Sequence, residues 1–180
     1  MATLDASRTT DDSANDHVSD HNVLAAAFNT QSRLIATPEL SLFQGAPSLA
    51  IQNSSAQVWA LDAASTESVA VSLEFPADWG NFHVDLIWTT TVSAAGNVRF
   101  QVLGTTFGDG ETLAAHTILG SLTAAAPGTL NVVEVSRIVT SQAVIAGETQ
   151  VLQVARLGAD VLDTYASDIG LIGVRLTKAA

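Results

Sequence analysis

Between Val69 and Phe75 the chain alternates in steps of two. Val69, Val71, Leu73 and Phe75 are apolar, Ala70, Ser72 and Glu74 intervene, and Pro76 closes the run. That period predicts a half-buried β-strand, because successive side chains of a strand point to opposite faces. The stretch "NFHVDLIWTTTV" repeats it, with Phe82, Val84, Leu86 and Trp88 on one side and His83, Asp85 and Ile87 on the other. "SAAGN" then turns the chain into "VRFQVL". The turn residues predict adjacent antiparallel strands joined by a tight loop. Further strands are expected at "SLAIQN", "AQVWALD", "LNVVEVSRIV", "TQVLQVARL" and "GLIGVRLTK", with turn signals at "GDGE", "APGT" and "AGE" between several of them. Seven or eight short strands over about 140 residues describe an antiparallel sandwich or barrel. The absence of strand–helix–strand alternation sets aside Rossmann and TIM-barrel folds.

The beginning of the chain reads differently. Residues 1–15 are rich in Asp, Ser, Thr and Asn and have too little apolar surface to offset the entropy of ordering. From Asp16 to about Gln31, a capping residue, early acidic residues and "VLAAAFN" predict one helix. His17, His21, Leu24 and Phe28 follow one another at spacings of four, three and four, on one helical face. The stripe is too short for an isolated coiled coil and needs the rest of the protein or a copy of itself. The expected organisation is therefore an N-terminal arm and helix over residues 1–35 and a β-domain over 36–180.

Charge narrows the function. A formal net charge of −11, with seven Lys plus Arg, supplies no basic footprint for phosphates, so nucleic acid is not an expected partner and anionic membrane surfaces are disfavoured. No apolar run approaches the roughly 20 residues that cross a bilayer, so no membrane insertion is expected. The polar, acidic start does not read as a signal peptide, which suggests assembly in a cytoplasm. Cysteine is absent, and with it thiolate ligands and thiol nucleophiles. Mean hydropathy is +0.30 with only 14% charged residues, which points to apolar surface covered by partners. A symmetric homotrimer is the expected way of supplying that burial.

Candidate chemistry is sparse. His17 and His21, each preceded by an aspartate, can face one metal ion, yet the stretch lacks the glutamate and third ligand of the HExxH pattern. An assembly contact through His17, His21, Leu24 and Phe28 is the favoured reading, with an inter-subunit ion site as the alternative. His83 and Asp85 share a strand face and read as a solvated sheet surface. His116 has no nucleophile motif near it, and "FGDGETL" has the form of a turn and lacks the spacing of a calcium loop. No phosphate-cradling motif occurs. Trp88 and Trp59 fit inward stripes, whereas Trp79, after "FPAD", is the candidate for an exposed sugar-stacking platform, flanked by the loop at 104–112. Catalytic, cofactor and metal sites are accordingly expected to be none.

Three stretches together resemble virion proteins of tailed bacteriophages. "DDSANDHVSDHNVLAAAFN" is similar to the helical lead-in of phage tail and fibre proteins. "VWALDAASTESVAVSLEFPADWGNFHVDLIWTTTVSAAGNVRFQV" and "LQVARLGADVLDTYASDIGLIGVRL" resemble the first half and the closing pair of small phage jelly-roll domains. The resemblance covers residues 11–31, 58–103 and 152–176. It implies an eight-stranded jelly roll, often trimeric, tethered to the particle by its N-terminal segment, and it carries no catalytic residues. The lack of Gly repeats and of an extended coiled coil departs from long fibres and favours a compact accessory. The expected function is thus a non-enzymatic virion component, a minor tail protein or a head decoration, whose partners are itself and other tail or capsid proteins. The rival is a receptor- or carbohydrate-binding module that contacts a host surface glycan. A metal-dependent cupin enzyme, the third reading, would have to use His83 and His116 together.

Overall fold

A computed structural model describes residues 32–179. The chain divides into two units, Met1–Gln31 and Ser32–Ala180, and the expected helix with His17, His21, Leu24 and Phe28 lies outside the described residues. The described residues form β1 (Ser32–Ala36), a single 3-10 turn (Thr37–Glu39), β2 (Ser41–Gln44), β3 (Ser48–Gln52), β4 (Ala56–Leu61), β5 (Thr66–Glu74), β6 (Asn81–Thr90), β7 (Asn97–Phe107), β8 (Thr117–Ala125), β9 (Val133–Ala143), β10 (Thr149–Leu157) and β11 (Ile169–Lys178). All pairings are antiparallel. One sheet runs β3-β4-β11-β6-β9 with β1 also on β11, and the other runs β2-β5-β10-β7-β8. The eight strands β4–β11 make two four-stranded sheets of an all-β jelly-roll sandwich, and β1, β2 and β3 extend them. β1, β2 and β8 are strands that the alternation left unassigned.

The period-two reading of the longest strands holds side chain by side chain. Phe82, Val84, Leu86 and Trp88 of β6 are fully buried and meet Val98, Phe100 and Val102 of β7 across the core. The Trp88 and Phe100 rings pack edge to face with centroids 5.2 Å apart, joining the sheets at an aromatic contact. One expectation fails here: β6 and β7 are not paired neighbours. β6 lies in one sheet and both β5 and β7 in the other, so the "SAAGN" loop crosses the sandwich. A strong inward stripe on both strands is satisfied as well by facing each other across a core as by lying side by side, and the stripe alone cannot separate the two.

In β11 the alternation slips. Ile169 and Leu171 point inward, then Val174 and Leu176 do so, because a bulge falls between Leu171 and Gly173. The bulge lets β11 serve two partners along one edge, β4 opposite Ile169–Leu171 and β1 opposite Gly173–Thr177. A β-carbon on Gly173 would stand 2.6 Å from the Ile35 carbonyl oxygen, so only glycine fits beneath the join. The Thr37 hydroxyl sits within hydrogen-bond distance of the carbonyls of Gln57 (2.8 Å) and Ile172 (2.6 Å), and Trp59 Nε1 donates to the Thr37 carbonyl.

At one end of the sandwich Arg156 of β10 is buried completely. Its Nε and Nη2 donate to the two carboxylate oxygens of Asp163 at 3.0 and 2.8 Å. Nη1 donates to the carbonyls of Leu61 and Ser167, and Nη2 also to that of Tyr165. All five guanidinium protons are thereby used, the condition under which a charge can be buried without a large penalty. Tyr165 in turn donates its hydroxyl proton to the Val92 carbonyl, and Asp163 also accepts the Arg99 backbone N–H.

Removing one side of this pair strands the other in the interior. Asp163→Ala is expected to cost about 3–5 kcal/mol in urea unfolding. Arg33→Ala, at a half-exposed pair 3.6 Å from Glu39, is expected to cost about 0–1 kcal/mol in the same measurement.

Candidate functional site

The predicted platform residue is not on the surface. Trp79 is 4% exposed and packs against Phe75 with ring centroids 5.4 Å apart, inside the same core that holds Trp59 and Trp88. The run "FPADWG" brings it there: a tight turn, with the Trp79 N–H donating to the Pro76 carbonyl, folds the indole under the end of the sandwich. The alternation stops at Pro76, so strand periodicity says nothing of its direction.

The expected loop at 104–112 is in part strand: residues 104–107 belong to β7, and Gly104, Thr105 and Thr106 border an opening. At the end of the sandwich, between the close of β9 and strands β7, β8 and β10, lies a cleft of about 140 Å³. Its walls include Thr105, Thr106 and Thr117, the carboxamides of Gln142 and Gln150, and the apolar Leu119 and Ile145, and none of its lining residues is charged. Gly104 lets two of the walls pack closely over it, because a β-carbon there would come within 2.7 Å of Leu119 Cδ1 and 2.9 Å of Gln150 Nε2. Gln150 is nearly buried, and its Nε2 donates to the carbonyls of Thr105 and Val151, which leaves its Oε1 as an acceptor. The Thr117 hydroxyl donates to the Gly104 carbonyl and keeps its lone pairs. The cleft therefore offers neutral donors and acceptors beside short apolar walls.

His116 adjoins Thr117 and closes a polar chain over the outer face of the β2-containing sheet. Gln153 Nε2 donates to Ser68 Oγ at 2.8 Å, so Gln153 Oε1 accepts from His116 Nδ1 at 3.0 Å, and that ring nitrogen carries the proton. The Phe43 ring packs against the His116 ring at a tilt of 44° with centroids 5.0 Å apart, and Phe43 remains 49% exposed. This is an exposed aromatic surface that sequence reasoning passed over. Phe43 stands at a bulge between Leu42 and Gln44, in a strand too short to show a period. The turn at 107–113 forms as expected, with Glu111 accepting the Gly108 N–H.

His83 and Asp85 lie on the outer face of the other sheet, opposite the side that carries His116, so the two histidines do not converge on one ligand. Among the described residues no cluster of three metal-ligating side chains occurs. Nor is Asp85 a solvated surface residue. Its side chain is 2% exposed and lies between Arg137 and Arg175, whose nearest nitrogens stand 2.8 and 2.9 Å from it. Burial pushes the carboxyl up, but the hydrogen bonds and charges of the two guanidiniums outweigh burial and hold it below the usual carboxylate range. The arginines come from distant strands, β9 and β11, and only the sheet register brings them to β6.

No protein-family model and no curated protein matches the chain. Solved structures do. The CsCBM6-3 module from Clostridium stercorarium, in complex with cellobiose, superposes with a TM-score of 0.53 at 11% identity, over 82% of this chain and 94% of that one. A family 35 carbohydrate-binding module from Clostridium thermocellum gives 0.56 at 8% identity, over 83% and 100%. The CBM22-2 xylan-binding domain from Paenibacillus barcinonensis gives 0.53 at 10% identity, over 82% and 99%. At these identities the likeness is one of fold, and it agrees with the jelly roll expected from the sequence.

Because the folded-state affinity of Asp85 for its proton is depressed, the stability it adds is present above the unfolded carboxylate pKa of about 4 and is lost as pH falls through the folded value. The stability gap between the wild type and Asp85→Asn, followed by urea unfolding, should stay level from pH 7 to about 5 and close below about 4.

Proposed function

We propose that this domain is a non-catalytic carbohydrate-binding module that takes a neutral sugar residue in the cleft between Gly104, Thr117 and Gln150. The observation that carries the reading is the lining of the cleft. Hydroxyls and carboxamides without a formal charge match a polyol, whose own groups both donate and accept, and Leu119 and Ile145 suit the apolar C–H face of a pyranose. The jelly-roll neighbours that are carbohydrate-binding modules support it. The virion setting rests on the sequence resemblance, and these neighbours add nothing to it.

Neutral oligosaccharides screened on a glycan array and titrated by calorimetry supply the test. At least one is expected to bind. Ile145→Trp, which fills the mouth of the cleft at a half-exposed position, should abolish binding. An array without a neutral ligand, or an Ile145→Trp affinity equal to wild type, would overturn the reading.

A further inference from the structure

Arg137 and Arg175 present more positive charge than the fold requires. The row Arg175–Asp85–Arg137 runs straight across three adjacent strands, β11, β6 and β9, on the outer face of their sheet. Arg175 donates to Asp85 Oδ2 through Nε (3.1 Å) and Nη2 (2.9 Å). Arg137 reaches Oδ1 through Nε (2.8 Å) and Oδ2 through Nη2 (3.3 Å). One arginine would neutralise the carboxylate, as Arg156 alone does for the fully buried Asp163. The second leaves the row with a net charge of +1 on a chain whose formal net charge is −11.

Donor accounting sharpens the point. Each guanidinium has five N–H groups and spends its Nε edge on Asp85, and among the described residues neither makes a further hydrogen bond. Both side chains stay 42–45% exposed, so their Nη1 groups meet solvent while the shared carboxylate fixes the planes. Two guanidiniums fixed in this way, about 10 Å apart at the backbone across one intervening strand, are preorganised for an oxyanion. Ile87 and the half-exposed Val135 form the next row, and the exposed Leu34 stands beside Arg175. The cationic pair thus has apolar borders that could carry the rest of a ligand.

We propose that this face is a second binding site, in which Arg137 and Arg175 together hold the carboxylate or sulfate group of an acidic polysaccharide. The oxyanion follows from the guanidinium geometry, and the polysaccharide rests on the carbohydrate reading above.

The full chain run in affinity electrophoresis through gels containing polygalacturonate, dextran sulfate or neutral dextran tests it, the first two separating carboxylate from sulfate. At low salt at least one acidic polymer should retard the protein and neutral dextran should not. Arg137→Gln and Arg175→Gln, each leaving Asp85 one partner, should reduce that retardation about tenfold, and Lys178→Gln, a surface cation paired with Asp78, should leave it unchanged. Urea unfolding of each variant confirms that it is folded. No retardation by either acidic polymer, equal retardation of wild type and both arginine variants, or an equal loss in Lys178→Gln would overturn the site. Loss of neutral-sugar binding in Ile145→Trp, with acidic-polymer binding retained, would show that the two sites are separate. An array without neutral ligands beside Arg-dependent retardation would remove the cleft reading and leave this one standing.

Discussion

A guanidinium with no solvent exposure has to find five acceptors inside the protein, and Arg156 finds them in four different places along the chain. They are the carboxylate of Asp163 and the carbonyls of Leu61, Tyr165 and Ser167. Leu61 ends a strand of one sheet and Arg156 belongs to the other, so satisfying one side chain closes an end of the sandwich. The segment from Gly158 to Asp168 has no regular structure of its own, and it is held because its carbonyls and Asp163 are what the arginine needs. At this end of a largely aliphatic and aromatic interior, the polar cluster specifies one arrangement of the loops, since any other would leave a charge unpaired.

The same principle separates the two arginine–aspartate sites. Asp163 and Arg156 are both buried and match one to one, so their chemistry is spent on the fold. Asp85 is buried but its arginines are not, and the excess donors face outward. The cleft at the end of the sandwich differs from both, having no charged residue in its lining. Of the three polar regions one closes the structure, and the other two underlie the neutral-sugar and oxyanion sites proposed above.

The inward faces of the longest strands were legible because they depend only on local period. Val69, Val71 and Leu73 in β5 and the four large residues of β6 are buried as their alternation requires. Which strand lies beside which was not legible, because pairing across 50 to 90 residues leaves no local mark. For that reason Asp85 read as surface: its burial is caused by Arg137 and Arg175, and nothing in "FHVDLIW" announces them. Trp79 was misplaced at the opposite limit, where a turn ends the period and the indole folds back into the core. The "DTYASD" stretch carries part of the resemblance, and its physical content, a carboxylate and two carbonyls for Arg156, depends on a partner that the local sequence does not name.

The two central strands of the sheets, β10 and β11, are also the last two of the domain, and every other strand except the outermost pairs directly with one of them. During synthesis the earlier strands emerge without the partners that would complete either sheet. Neither half of the sandwich can close until residues 149–178 have left the ribosome, so assembly waits for the last strands of the domain and is dominated by long-range contacts of the kind that fold slowly. Until then β5, β6 and β7 carry apolar stripes that only the completed domain buries.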